Sequence, residues 1–181
     1  FMVLMAIHSC NQTSEGYTVN LELEGCEGKW VTLSARINRD YVVIDSALVE
    51  TGTSAVLSGN IDGVQSMYLS VKGEKGSQRL LMENAEYTIS GTIEKPVINT
   101  TGKAQGDLNA YKEMTGSMEG KLSSTLEVYY AAREKDDQEA MDSVLNIYYS
   151  INEEKDLIDS VYIAENSASY VSVLLLRSSF Y

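Results

Sequence analysis

The chain offers two thiols, Cys10 and Cys26, and one imidazole, His8, for nucleophilic or metal-binding chemistry. The two cysteines stand sixteen residues apart with no Cys-x-x-Cys between them, so the dithiol pattern of a redox site is absent. Cys26 sits among Gly25, Glu27 and Gly28, and an acidic neighbour raises a thiol pKa, which suits an inert turn or strand cysteine better than a reactive one. With His8 so near the start, the rest of the chain supplies no imidazole base for a Ser or Cys nucleophile and no His-ligated zinc site. The 26 acidic residues include no pair marked by sequence as a general acid and base, because that pairing depends on separation in space. Asn60-Ile61-Asp62-Gly63 has the start of a calcium loop but lacks the further oxygen ligands and the closing Glu, so it is expected to be a turn. Gly73 and Gly76 flank Glu74-Lys75 as a hairpin tip does, and no Gly-Lys-Ser/Thr comes after them to cradle a phosphate.

Cys10 has a different character. An apolar run, Phe1-Met2-Val3-Leu4-Met5-Ala6-Ile7, leads through His8 and Ser9 to Cys10, and a polar stretch, Asn11–Gly16, comes next. A bulky apolar residue at minus three, a small one at minus one and then Cys resemble the junction at which a bacterial lipoprotein is acylated and cleaved. The run is too short to span a bilayer, which takes about 20 residues. On this reading residues 1–9 are the tail of a truncated signal peptide, with a short buried strand as the alternative. Residues 10–16 are then a lipidated tether. Several acyl chains on one Cys anchor firmly, where a single chain binds only marginally.

The elements that must position any site divide the chain in two. Tyr17, Val19, Leu21 and Leu23 alternate with polar residues, a period-two strand pattern with one buried face. Further strand segments lie at Trp30–Leu33, Tyr41–Val49, Ala55–Ser58, Met67–Val71, Gln78–Met82, Tyr87–Ile93 and Val97-Ile98, broken by turn signals rich in Gly, Asn and Asp. This spacing predicts an antiparallel β-sandwich or open barrel over residues 17–102. After Gly102 the period changes. Leu108, Tyr111, Met114, Met118, Leu122, Leu126 and Tyr129 recur at helical steps. Gly116 and Gly120 in that stretch each cost about 1 kcal/mol relative to Ala. Arg133–Asp137 is a charged break with an acidic residue placed to cap the next helix. Val144, Tyr148, Ile151, Lys155, Ile158 and Tyr162 make a second stripe, along which the Lys155 stem can lie. A third apolar segment, Tyr170–Tyr181, comes after Asn166–Ser169. The fold class is therefore α+β, a β-rich N-terminal domain followed by an α-helical spacer. Of the paired Tyr129-Tyr130 and Tyr148-Tyr149, one of each pair is expected in the core and the other on a surface suited to protein or carbohydrate.

Composition narrows the partners. With 44% hydrophobic and 22% charged residues the chain has the makeup of a globular protein. Its net charge is −12 and it has no Lys/Arg cluster to displace phosphate counterions, which argues against nucleic acid. The same charge repels anionic lipid, so membrane attachment must come from the lipid on Cys10.

The strand region also resembles a known family. Gly25-x-x-Gly28-Lys29-x-Val31-x-Leu33, Ile44-Asp45-Ser46-Ala47-x-Val49-x-x-Gly52, Val56-x-x-Gly59-x-Ile61 and Leu81-x-Glu83-Asn84-Ala85-x-Tyr87-Thr88-Ile89-x-Gly91 occur in order, followed by Thr101-Gly102 and by Asn109 with Tyr111. Together they resemble the N-terminal domain of unknown function (DUF4369-type) that precedes the thioredoxin-like domain in Bacteroidetes envelope lipoproteins of the TlpA/ResA and AhpC/TSA type. The resemblance covers about residues 17–111. Ser54 stands where an aromatic is common, Ala85 where Gly is common, and Tyr111 lies two rather than three residues after Asn109. In that family the catalytic Cys-x-x-Cys lies in the later domain. The resemblance thus implies a non-catalytic accessory domain without cofactor. Residues 103–181 would be a helical region leading to a thioredoxin-like domain absent from this chain. It further implies a place in the bacterial cell envelope and a partner there, or that attached domain. Asp45-Ser46-Ala47, Asp142-Ser143-Val144 and Asp159-Ser160-Val161 match a short O-glycosylation pattern of such envelope proteins. The alternative is a stand-alone envelope lipoprotein that binds a protein or glycan ligand.

Overall fold

The computed structural model describes residues 15–52 and 54–178 of the 181. The lipidation site expected at Cys10, with the apolar run before it, lies outside the described residues. The chain divides into two compact units, Phe1–Lys103 and Ala104–Tyr181.

The first unit holds eight strands: β1 (Tyr17–Leu23), β2 (Trp30–Ile37), β3 (Asp40–Leu48), β4 (Ala55–Gly59), β5 (Gln65–Val71), β6 (Gln78–Met82), β7 (Glu86–Gly91) and β8 (Pro96–Thr100). They form two four-stranded sheets, in the orders β4-β1-β7-β8 and β3-β2-β5-β6. The alternation predicted for β1 is realised: Tyr17, Val19, Leu21 and Leu23 are buried and the residues between them are not. Val31 and Leu33 of β2, Met67, Leu69 and Val71 of β5, and Leu57, Tyr87 and Ile89 of the facing sheet complete one core between the sheets. Burying each such aliphatic side chain contributes about 1.5–3 kcal/mol before conformational entropy is set against it.

Neither sheet closes into a barrel, and the chain is α+β, with the β-rich region first. One pairing departs from the antiparallel rule: β1 runs parallel to β7, with Val19 beside Tyr87 and Leu21 beside Ile89. After β4 the chain builds β5 and β6 in the other sheet before returning, so β7 enters beside β1 from the same end. Such a parallel neighbour needs a long crossover, which a local hydrophobic period does not encode.

The second unit is helical: α1 (Lys103–Arg133), α2 (Gln138–Glu165) and α3 (Tyr170–Ser178). Gly116 and Gly120 do not break α1, and no atom crowds the space a Cβ would take at either. Asp137 caps α2 as its position suggested, its side chain accepting from the Ala140 amide at 3.1 Å. The short link between α1 and α2 makes them an antiparallel hairpin. At the end of α2 the Asn166 carbonyl accepts from the Ser172 hydroxyl at 2.7 Å, tying α3 to it. The buried face of α1 departs from the predicted stripe, with Thr115 inside it and Met114 out of it. Tyr111, Thr115 and Met118 are buried, whereas Met114 is exposed. A hairpin presents each helix with one neighbour, so the covered face is narrower than the apolar stripe.

Candidate functional site

Cys26 lies in the turn between β1 and β2. Gly25 and Gly28 shape that turn, with φ values of 70° and 74°, a conformation that suits glycine. The turn folds the thiol inward, where it is 1% exposed and part of the sandwich core. Its Sγ faces the Glu24 carbonyl at 3.6 Å. Lys29 closes the turn from outside, with Nζ donating to the Gly25 carbonyl at 2.7 Å and to Glu74 Oε1 at 2.5 Å. Burial, aided by Glu74 and Glu27 and opposed by Lys29, pushes the thiol above its usual pKa. A raised pKa and a closed environment are opposite to what a redox thiol needs.

Beside this turn, Glu22, Glu24, Glu27 and Glu50 line a shallow hollow of about 260 Å³ with Leu21, Leu23, Val49, Gly52 and Ser54. Among the described residues, no three His, Cys, Asp or Glu side chains are placed to hold a metal ion. Asn60–Gly63 forms the expected turn, and Gly73 and Gly76 lie in the β5–β6 connection.

The motif residues that carry the family resemblance have structural tasks. Asp45 accepts from the Ser46 amide at 2.7 Å and from the Ser58 amide at 3.0 Å, linking β3 to β4 across the sheets. Asn84 Oδ1 accepts from the Ile61 amide at 3.0 Å. The Tyr87 hydroxyl accepts from the Glu83 amide at 2.9 Å and donates to the Glu83 carbonyl at 3.2 Å, and burial raises its pKa. Gly52 and Gly91 hold φ values of 76° and 82°. These residues specify turns and corners rather than a reacting centre.

The helical unit contains the arrangement best suited to recognition. Ala110 and Met114 of α1 and Leu157, Ile158, Val161, Tyr162 and Glu165 of α2, with Asn166 after it, line a groove of about 450 Å³. Leu157, Met114 and Val161 are all exposed in it. Tyr162, one of the lining residues, stands edge-on to Tyr111, with ring centroids 5.2 Å apart. The Tyr111 hydroxyl donates to Asp159 Oδ1 at 2.5 Å, while Lys155 Nζ donates to Tyr111 Oη at 2.9 Å and to Asp159 Oδ2 at 2.7 Å. Burial and the bond to Asp159 hold the phenol above its usual pKa. For Lys155, burial alone would lower the pKa, but the bonds to Asp159 and Tyr111 outweigh it and raise it. A neutral phenol and a charged ammonium locked on a carboxylate do not make a base; they clasp α1 to α2.

Sequence reasoning placed Lys155 on an apolar stripe and missed this clasp. The signal was present in the i, i+4 spacing of Lys155 and Asp159, but their phenol partner is on another helix. The tyrosine pairs differ from expectation in that neither reaches a core: Tyr129 and Tyr148 are half-buried, and Tyr130 and Tyr149 are exposed. Of the three short glycosylation matches, Ser46 lies in β3 and Ser143 and Ser160 lie in α2, with the Ser160 hydroxyl bonded to the Asp156 carbonyl. No helix among the described residues is long and apolar enough to cross a membrane.

A family model described as "Domain of unknown function (DUF4369)" matches residues 17–109. No curated protein matches the chain.

Proposed function

The chain belongs to the DUF4369 family of domains of unknown function, and on that footing we propose that it is a non-catalytic accessory module of an envelope lipoprotein. In this reading lipid on Cys10 tethers it in the bacterial cell envelope. Its β-sandwich and helices then position a thioredoxin-like domain, as in thiol:disulfide interchange proteins, or recognise that domain's partners.

The observation that carries the reading is the apolar groove between α1 and α2. Its exposed Met114, Leu157 and Val161 suit apolar side chains presented by another protein. Buried Cys26 supports the same view, since the thiol chemistry would then belong to the other domain.

The test is a titration of the isotopically labelled chain with a thioredoxin-like domain from an envelope thiol:disulfide interchange protein, followed by amide chemical shifts. Shifts confined to the surroundings of Met114, Leu157 and Val161, and lost in Leu157→Asp, are the expected result. Saturating domain with no shift in the helical unit would refute positioning through this groove. Tethering has its own readout: Cys10→Ser moves the protein from the membrane fraction to the soluble fraction if the anchor is real.

A second reading rests on exposed Tyr130 and Tyr149, which fit a stand-alone envelope lipoprotein that binds a protein or glycan ligand. Quenching of tyrosine fluorescence by a glycan, lost when both become Ala, would favour it.

A further inference from the structure

The far half of the β2–β3 hairpin stands clear of the sandwich core. Leu33 and Ala35 of β2 are buried, but all nine residues from Arg36 to Ile44 are exposed. Five of them are large and apolar: Ile37 is 48% exposed, Tyr41 61%, Val42 42%, Val43 56% and Ile44 42%. They face both ways. Tyr41 pairs with Arg36 and Val43 with Ser34 on the outer face of the sheet, whereas Val42 pairs with Ala35 on the core-facing side. By alternation Ile37 shares the side of Ala35. A flat partner would need apolar groups on one face only. Apolar groups on both faces of a projecting finger suit a medium that surrounds it, as the interface of a lipid bilayer does.

The finger leaves the sandwich at the end where the chain from Cys10 enters it. The short turn holding Cys26 joins β1 to β2, so β2 runs back toward the end at which β1 begins. Hydrogen bonds place the root of the finger there too. Asp45 Oδ2 accepts from the Ser58 amide at 3.0 Å, and Ser58 pairs with Thr18 at the start of β1. The Asn60 side-chain amide donates to the Glu15 carbonyl and so holds the entering chain beside the same spot. Five residue steps separate Cys10 from Glu15, a reach of at most about 18 Å. The Cys26 turn, at the other end of β1, lies about 20 Å further on.

We propose that this finger dips into the headgroup layer of the bilayer to which the chain is tethered. The proposal rests on the reading that lipid on Cys10 anchors the chain, and it adds a fixed orientation to that anchor. The tether keeps the surface close, so a contact too weak to bind alone is enough to hold the sandwich on end. Tyr41, with an apolar ring and a polar tip, suits the headgroup level. Arg36 and Arg39 reach lipid phosphates while their stems lie along apolar neighbours. The depth is limited by the outer edge of β3, whose backbone groups have no strand beside them and need water. Asp40 and Asp62 stand at the same end of a chain of net charge −12. Apolar contact therefore carries the docking, and a zwitterionic surface suffices.

The test couples Cys10 of the full chain to a maleimide-headgroup lipid in phosphatidylcholine vesicles. The tether then exists whether or not a cell acylates this cysteine, and Cys26, 1% exposed, does not compete. Tyr41→Trp, made together with Trp30→Phe, puts a fluorescent reporter in the finger. Trp30 of the otherwise unaltered chain, at the far end of β2, is the control. Lipid brominated near the headgroup should quench the Tyr41→Trp emission and leave that of Trp30 unchanged. Ile37→Thr with Val43→Thr keeps β-branched residues in the strands and should lower the ratio of docked to free finger by roughly tenfold. Val97→Thr, which lies on β8 toward the other end, should not alter it. Should the reporter chain fail to fold, broadening of the Ile37, Val42 and Val43 methyl resonances by spin-labelled lipid in nanodiscs reads the same contact without a reporter. Emission from Tyr41→Trp that acrylamide reaches equally in the coupled and the free chain overturns the proposal. So does equal quenching of Trp30, or docking indifferent to the paired threonines. Shielding of the finger by a second copy of the uncoupled chain, or by a thioredoxin-like domain and not by lipid, also overturns it. Natural anchoring is read separately, by the membrane fractionation of Cys10→Ser, so its failure leaves the vesicle result standing.

Discussion

Removing the ammonium at position 155 tests whether the Tyr111–Lys155–Asp159 clasp holds the helical hairpin together. Lys155→Met keeps the stem and deletes two donors, the 2.7 Å bond to Asp159 and the 2.9 Å bond to Tyr111. Hydrogen bonds to charged partners contribute about 1.5–3 kcal/mol each when well buried. Here the Lys155 and Asp159 side chains are 22% and 16% exposed, so water screens part of that gain. The Asp159 carboxylate keeps the Tyr111 hydroxyl and some solvent after the substitution, which limits the penalty of leaving it unpaired. The expected loss is about 1–2 kcal/mol of unfolding free energy. Urea unfolding followed by helical circular dichroism reads it, because the clasp lies within the helices. Tyr111→Phe combined with Asp159→Asn in a double-mutant cycle should show a coupling of about 0.5–1.5 kcal/mol. Coupling below about 0.3 kcal/mol, the level at which independent sites add, would refute the clasp as a source of stability.

Three further outcomes rest on the same geometry. Gly102→Ala places a Cβ 2.9 Å from the Tyr87 hydroxyl and 3.1 Å from the Ala85 Cβ. It should destabilise the sandwich by about 1–3 kcal/mol in urea titration, and Tyr87→Phe in the same chain should recover part of the loss. Asn84→Ala leaves the Ile61 amide without its acceptor. That change should cost about 1–2 kcal/mol, read as a lower denaturation midpoint. Cys26, Tyr17, Tyr87, Tyr111 and Lys155 all have folded pKa values raised above their ordinary 9.0, 10.0, 10.0, 10.0 and 10.5. A raised folded pKa gives stability that is complete below the unfolded value and lost as pH climbs through the folded one. Stability should therefore fall from about pH 9 upward, Cys26 first, and a chain equally stable at about pH 8 and about pH 11 would contradict the burial of these groups.

Local pattern carried far in the sandwich. Gln78–Met82 is a strand with the predicted limits, and the alternation from Tyr17 to Leu23 identifies the buried face. The Asp137 cap was visible because capping is a contact between residues close in sequence. The candidate site was less legible. Lys155 and Asp159 announce a pair, but Tyr111, which completes the clasp, is 44 residues from Lys155. Met114 belongs to the apolar stripe of α1, yet with one helix alongside it remains in the open and lines the groove.

Residue order alone was enough to establish that residues 17–102 pattern as strands and residues 103–181 as helices, because side-chain period is a property of the local backbone. It was enough, too, for the net charge of −12 and for the lack of a Cys-x-x-Cys partner to Cys26. The folded chain was needed to establish that β1 takes β7 as a parallel neighbour, that Cys26 is enclosed in the core, and that Tyr41–Ile44 lies along an open edge. Tyr41-Val42-Val43-Ile44 reads as a strand from its residues alone. Whether such a run is buried depends on which strand lies beside it, and that neighbour is chosen by the path of the whole chain.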